Sequence, residues 1–303
     1  MKRDFLAIES LTSGELLALL DRAAKMKADR HQSDVLTGRS IGMIFEKPST
    51  RTRVSFEVGI SELGAHAVVL NASELQLGRG ETIEDTARVL SRYLHALVVR
   101  TFEQDRLERL ARWADIPIVN ALSDLMHPCQ ALADLLTVQE RFGRLQGLTL
   151  TYVGDGNNVA HSLLTGCALA GMNCRVATPA GYEPISQIVK RAEDIAAETG
   201  AQIEVTTDAA AAATGADVIY TDVWASMGQE REAEERRLIF APYQVNATLV
   251  ARAVSSAIVM HCLPAHRGEE ITDDVIEDTQ SVVWDQAENR LHTQKALLEW
   301  LLS

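Results

Sequence analysis

The sequence predicts an α/β fold of two domains, each a parallel sheet flanked by helices, with the C-terminal helix packing back on the first domain. Three observations support this. Short apolar runs alternate with longer amphipathic segments along the whole chain, the pattern of parallel strands joined by crossover helices. A chain of 303 residues is long enough for two cores of ordinary size. The alternation pauses at the glycine-bounded stretch 143–147 and then restarts. These place a first domain over 1–143, completed by 290–303, and a second over 147–288.

Hydrophobic residues make up 47% of the chain and charged residues 23%, as in soluble globular proteins. The net charge of −13 argues against nucleic acid as a partner, because binding a polyphosphate needs a broad basic surface. A small anion needs only a local basic pocket. The N-terminal stretch lacks the apolar core of a signal peptide and carries Asp4 and Glu9, which a transit peptide avoids. No apolar run reaches membrane-spanning length, so no membrane is expected. The four cysteines, Cys129, Cys167, Cys174 and Cys262, show no Cys-x-x-Cys pair and no zinc-like spacing with histidine. Neither a disulfide scaffold, a metal site nor a cofactor is implied, and a reducing cytoplasm is the expected compartment.

Leu11, Leu16, Leu17, Leu19 and Leu20 mark an early helix. The rest of the chain is organised around the segment 40–64, SIGMIFEKPSTRTRVSFEVGISELG. Its first residues form an apolar strand, 40–45, which Glu46-Lys47-Pro48 breaks. Ser49 or Thr50 can then cap a helix with an apolar stripe of Val54, Phe56, Val58, Ile60 and Leu63, stopped by Gly64. The first turn of such a helix has unpaired N–H groups and the positive end of the dipole, and here it carries Ser49, Thr50, Arg51, Thr52 and Arg53. A single hydroxyl would be enough for a cap, but five phosphate-compatible side chains in a row make an anion site.

Further strands are expected at 66–70, 96–99 and 117–120, with helices at 81–94, 104–113 and 130–142 and an exposed loop at 71–80. Beyond the boundary come strands at 148–153, 174–178, 203–206, 218–221, 257–261 and 282–285. A helix is expected to open within 154–161, and others over 183–199, 209–213, 242–254 and 292–302. Ligands on parallel sheets gather at the carboxyl ends of strands, where Ser49 to Arg53, Arg100 and His127 to Gln130 all fall. Pro128 at a first helical position would explain the His127-Pro128-Cys129-Gln130 string structurally. Gly154-Asp155-Gly156-Asn157-Asn158 has part of a dinucleotide fingerprint, but Val159 stands where a third glycine belongs, which leaves a tight turn as the alternative.

Lys47-Pro48-Ser49-Thr50-Arg51-Thr52-Arg53 resembles the carbamoyl-phosphate loop of the aspartate and ornithine carbamoyltransferase family. His127-Pro128-Cys129-Gln130 matches that family's H-P-x-Q pattern, Asp222-Val223-Trp224-Ala225-Ser226-Met227-Gly228 resembles its ornithine loop, and His261-Cys262-Leu263-Pro264-Ala265-His266-Arg267 comes next in the expected order. The last string matches the ornithine branch more closely than the aspartate branch. The resemblance implies transfer of a carbamoyl group from carbamoyl phosphate to the δ-amine of L-ornithine, giving L-citrulline and phosphate, as in arginine biosynthesis.

By the same resemblance, Ser49, Thr50, Arg51 and Thr52 hold the phosphate, joined by Gln76 from a neighbouring subunit of a homotrimer or an assembly of trimers. Arg100 and His127 hold the carbonyl oxygen and Gln130 the amide nitrogen, with Pro128 and Cys129 lining that turn. The carbonyls of Cys262 and Leu263 accept from the carbamoyl nitrogen, and Arg290 reaches the same group. Asn158, Asp222, Ser226 and Met227 take ornithine, with Asp222 on its α-ammonium and Cys262 beside the δ-amine. The catalytic set is Arg100, His127, Asp222 and Cys262. Another acceptor, such as putrescine, an acylated ornithine or aspartate, stays open. So do a nicotinamide-dependent dehydrogenase built on the Gly154 turn and a sensor that binds without turnover.

Overall fold

The structure, a computed structural model, describes residues 2–30, 32–71, 80–225 and 232–303. It divides into two compact units, Met1–Leu136 with Glu288–Ser303, and Thr137–Ala287. No helix among the described residues is long and apolar enough to cross a membrane.

The first unit is built on four parallel strands, β1 (Ser40–Phe45), β2 (His66–Asn71), β3 (Ala96–Arg100) and β4 (Ile118–Leu122), in the order β2-β1-β3-β4. β3 is buried throughout, which its continuous Ala-Leu-Val-Val run requires. Phe5 adds a single bridge outside β4. Helices α1 (Ser13–Ala28), α2 (Thr50–Glu62), α3 (Ile83–Leu90) and α4 (Gln104–Trp113) belong to this unit. α1 opens with a capping box between Thr12 and Glu15, and α2 buries Thr52, Phe56, Gly59 and Ile60. Ile44, Leu97, Val99 and Ile118 of the sheet pack with Ala87, Leu107 and Leu110 of α3 and α4. α5 (Pro128–Phe142) comes after β4.

The second unit carries β5 (Thr149–Val153), β6 (Asn173–Ala177), β7 (Ile203–Thr206), β8 (Val218–Thr221) and β9 (Ile258–His261) in the order β7-β6-β5-β8-β9, again all parallel. Its helices are α6 (Asn158–Ala170), α7 (Ser186–Thr199), α8 (Ala209–Ala213), α9 (Ala233–Phe240), α10 (Ala247–Val250) and α11 (Asp273–Ile276). The chain ends in α12 (Val283–Leu302), whose last part belongs to the first unit. There Glu299 takes two hydrogen bonds from Arg22 of α1, and Lys295 donates to Glu62 of α2.

Three expectations are corrected. The strand expected at 282–285 is the start of α12. Ser281 bridges Val259 and the Val282 N–H donates to the Val259 carbonyl at 3.0 Å, after which Asp285-Gln286-Ala287-Glu288 favours helix. The final helix therefore begins at Val283 rather than at the expected His292. The helix expected at 242–254 is a short 3-10 turn, Ala241–Tyr243, followed by α10, because Pro242 and Asn246 each start a new turn and Val245 pairs with the Glu270 carbonyl. α9 was not expected, since its glutamates and arginines leave no apolar stripe.

The Gly154 turn is explained by packing. A Cβ on Gly156 would lie 2.3 Å from the Pro184 nitrogen and 2.5 Å from the Tyr182 carbonyl oxygen, so this glycine admits the 182–184 backbone. Its N–H donates to that Tyr182 oxygen at 2.9 Å. Val159, at the position of a third fingerprint glycine, is buried on α6.

Candidate active site

In the first unit, the carboxyl ends of β1, β3 and β4 lead to the start of α2, to Arg100 and to His127. Ser49 occupies the N-cap position of α2, yet its side chain makes no capping hydrogen bond. The expected cap is therefore not formed, and the hydroxyl stands beside the unpaired first-turn N–H groups. Arg51 Nε is buried with no hydrogen-bond partner among the described residues. Thr52 is buried, and its hydroxyl accepts from Arg290 of α12. Arg53 instead pairs with Glu57 on the exposed side of α2.

The loops around this helix start are tied to one another. Lys47 is buried, donates to Asp124 and lies 4.2 Å from the centre of the Phe102 ring, so the loop before α2 is joined to the loop before His127. Glu46 donates its N–H to the Arg100 carbonyl at 2.9 Å, while its carboxylate accepts from Thr101 and Arg106. Between Val99 and Arg100 the β3–β4 register shifts, Arg100 pairing with Leu122 so that Ala121 of β4 is the extra residue of a bulge.

Arg100, His127, Gln130 and Arg290 are all buried. Burial holds the His127 imidazole well below its ordinary value, and the positive fields of Arg290 and Arg100 push it the same way. His127 is therefore neutral at physiological pH and offers one N–H as a donor. Pro128 starts α5 as expected. Burial pushes the Cys129 thiol up to about 12, with Arg290 opposing, so this cysteine is an inert thiol whose Sγ donates to the Asn120 carbonyl. Gln130 donates its amide N–H to Asp134 at 2.8 Å.

In the second unit, Asp222 comes just after β8 and is 6% exposed. One of its carboxylate oxygens accepts from Asn157 Nδ2 at 2.8 Å, the other from Cys262 Sγ at 2.9 Å. Asn157 also caps α6 through the N–H groups of Val159 and Ala160, and Asn158 is the first residue of that helix. The Gly154 turn and the β8 turn meet again through Arg236 of α9, which donates 2.8 Å bonds to Asp155 and to the Trp224 carbonyl. Burial raises the Asp155 carboxyl despite the charge and hydrogen bond of Arg236.

Cys262 and Leu263 sit on a shaped turn after β9. Leu263 has φ +58, and its N–H donates to His261 Nδ1 at 2.8 Å. That bond makes Nδ1 the acceptor, so the ring proton sits on Nε2 and is donated to Glu270 at 3.0 Å. Cys262 and Asp222 are joined by a hydrogen bond and His261 lies close to both, a donor set that could also ligate a cation. Gln76, Ser226 and Met227, and with them the loop expected at 71–80, lie wholly or mainly outside the described residues.

Family models match both parts of the chain. The "Aspartate/ornithine carbamoyltransferase, carbamoyl-P binding domain" covers 3–140, and the "Asp/Orn binding domain" of the same family covers 146–301. The chain belongs to the aspartate/ornithine carbamoyltransferase family. An ornithine carbamoyltransferase of Acidothermus cellulolyticus is 61% identical over all of this chain and 97% of its own length, and one from Parafrankia is 59% identical over 99% and 96%. The solved ornithine carbamoyltransferase of Pyrococcus furiosus has a TM-score of 0.95 at 55% identity, covering 98% of this chain and 96% of that one.

Within this aspartate/ornithine carbamoyltransferase chain, several polar residues that order the site were not singled out as functional in the sequence. Asn157 has a local signal, an asparagine just before an apolar helical run, but its bond to Asp222 spans 65 residues. Lys47 opens the quoted loop string, but its bond to Asp124 spans 77 residues, and Asp134, Arg236 and Glu270 have no local signal, because their partners are distant or lie in unremarkable helical context.

The position of His127 has a consequence for stability. Its folded pKa lies below the unfolded value near 6.5, so the unfolded chain takes up the proton first, and stability is lost as pH falls below that value. Between pH 7 and 5, urea denaturation of His127→Asn is expected to show a shallower decline than the parent, by at most about 1.4 kcal/mol per pH unit. Parallel declines would contradict the buried, neutral histidine.

Proposed function

We propose that the protein transfers the carbamoyl group of carbamoyl phosphate to the δ-amine of L-ornithine, producing L-citrulline and phosphate. The observation that carries this reading is the buried group of Thr52, Arg100, His127 and Arg290 beside a helix start whose N-cap hydroxyl is not used for capping. Phosphate takes the α2 N-terminus with Ser49, Thr50, Arg51 and Thr52, where N–H groups, hydroxyls and a guanidinium all donate.

Attack of the amine on the carbamoyl carbon places negative charge on its oxygen. Arg100 and the neutral N–H of His127 donate to that oxygen, with Arg290 adding positive field, and donors fixed before the reaction cost no reorganisation during it. Collapse of the tetrahedral species breaks the C–O bond and expels phosphate, which takes up the proton lost by the attacking amine and whose remaining charge the α2 N-terminus and Arg51 stabilise. In the amino-acid half, Asp222 pairs with the α-ammonium while Asn157 and Cys262 hold its carboxylate in place. Asn158, Ser226 and Met227 complete the ornithine contacts, and Cys262 with Leu263 completes the carbamoyl contacts. Relatives named for ornithine reach 55–61% identity over nearly the full chain, whereas an N-acetyl-L-ornithine transcarbamylase that matches over 98% of it is 32% identical, which favours ornithine over an acylated ornithine.

A homotrimer, with Gln76 reaching the phosphate of a neighbouring subunit, fits the exposed apolar residues Val54 and Val58 on α2. Sedimentation is expected to give the mass of three chains or a multiple of it; a single-chain mass in an active preparation would remove that contact.

Only the neutral amine attacks. A lysine-type amine titrates near 10.4, so presenting it neutral at pH 7 costs about 4–5 kcal/mol. Citrulline formation from carbamoyl phosphate and ornithine is therefore expected to rise with pH from 6 to 9, and a flat profile with chemistry rate-limiting would count against direct amine attack. Absence of citrulline alongside carbamoylated putrescine would move the acceptor.

Two substitutions separate the halves. Arg51→Ala is expected to raise the carbamoyl-phosphate KM by roughly 100-fold or more, as loss of a charge-assisted contact to phosphate implies. Asp222→Ala should do the same to the ornithine KM and leave carbamoyl-phosphate affinity within about threefold. Unchanged saturation in either variant removes that residue from its half.

A further inference from the structure

The Gln130 side chain is held in one orientation by a residue that the reaction scheme does not use. Gln130 stands in the first turn of α5 and Asp134 one turn later on the same face, each 1% exposed. Gln130 Nε2 donates to Asp134 Oδ1 at 2.8 Å, while Gln130 Oε1 is buried with no hydrogen-bond partner among the described residues. The opposite amide flip would set two oxygens against each other, because a carboxylate oxygen facing an amide oxygen has no proton to share. The end of Gln130 that remains open is therefore an acceptor. A buried acceptor left unsatisfied carries a desolvation penalty, and only a ligand that brings an N–H or O–H removes it.

We propose that Asp134 is a positioning residue that fixes Gln130 as a hydrogen-bond acceptor, and that this orientation makes the site select an acyl phosphate bearing an amino group over one bearing a methyl group. The inference rests on the reading that Gln130 receives the carbamoyl nitrogen, and it adds what makes that contact selective. Acetyl phosphate offers the same phosphate to α2 and the same carbonyl oxygen to Arg100 and His127. It differs by a methyl group of nearly the same size where carbamoyl phosphate has NH2. The anion site and the carbonyl donors cannot tell the two apart. An acceptor that cannot rotate can, since the methyl group leaves Oε1 buried and unpaired. Without Asp134 the amide is free to turn its N–H2 end inward, and the difference between the two ligands shrinks.

The experiment compares the parent with Asp134→Asn, which keeps the shape of the side chain and can donate as well as accept. Three quantities are read for each: the KM of carbamoyl phosphate, the Ki of acetyl phosphate as a competitor against it, and the thermal midpoint. The expected result is a rise of roughly tenfold or more in KM with a change of less than about threefold in Ki, so that selectivity falls. Gln130→Met in the parent is expected to lose the same selectivity, and adding Asp134→Asn to it should cost little more. If Asp134→Asn is too unstable to assay, Asp134→Ser takes its place with the same expected pattern. KM and Ki rising together in a folded variant, or neither moving, would overturn the role of Asp134. A parent enzyme that makes no citrulline would instead overturn the functional reading itself, while binding of the two acyl phosphates would still test the selectivity.

Discussion

Concentrated positive charge in a poorly hydrated place is the constraint on which the first unit depends. Arg100 and Arg290 are buried beside His127 and near the start of α2, whose dipole has the same sign. Charge taken out of water must be compensated, so a bound anion would add to whatever compensation the protein already supplies. The fold keeps the cluster assembled between visits of that anion. Glu46, Asp124 and the bulge at Arg100 tie three strand ends together, so the cations are restrained by backbone as well as by their own side chains.

The second unit meets a different constraint, a mostly buried carboxylate held in place by neutral donors. Asp222 accepts from Asn157 and Cys262, and the turns that carry Asp222 and Asn157 are joined once more through Arg236. The Cys262 turn is set by its own chain, Leu263 to His261 to Glu270. In both units, some residues assigned to the substrates rest on neighbours that are not, such as Asn157 for Asp222 and Asp134 for Gln130, which is how site residues gain the precision of a rigid element.

Much of this was legible in the sequence, for identifiable reasons. The strand at 96–99 shows through because an all-apolar run is what a strand buried on both faces requires, and the start of α2 shows through because its polar residues are consecutive. What could not be read has long-range causes. The run at 282–285 is as apolar as a strand, but only Ser281 and Val282 pair with β9 before helix-forming residues take over. Arg290 looks by itself like a surface residue at a helix start, yet it lies buried in mid-helix against Thr52, 238 positions earlier. Ser49 stands at the N-cap without making the capping bond, and no local pattern separates a hydroxyl used by its helix from one that is spared.

That long return of the chain has a consequence during synthesis. The first unit needs Glu288–Ser303, and Arg290 of that stretch is made only after the entire second unit. On a translating ribosome the early strands and helices can collapse, but the cationic cluster stays one guanidinium short until the last residues emerge. A polypeptide terminated before Arg290 therefore leaves Thr52 without its guanidinium partner and the first unit without its closing stretch.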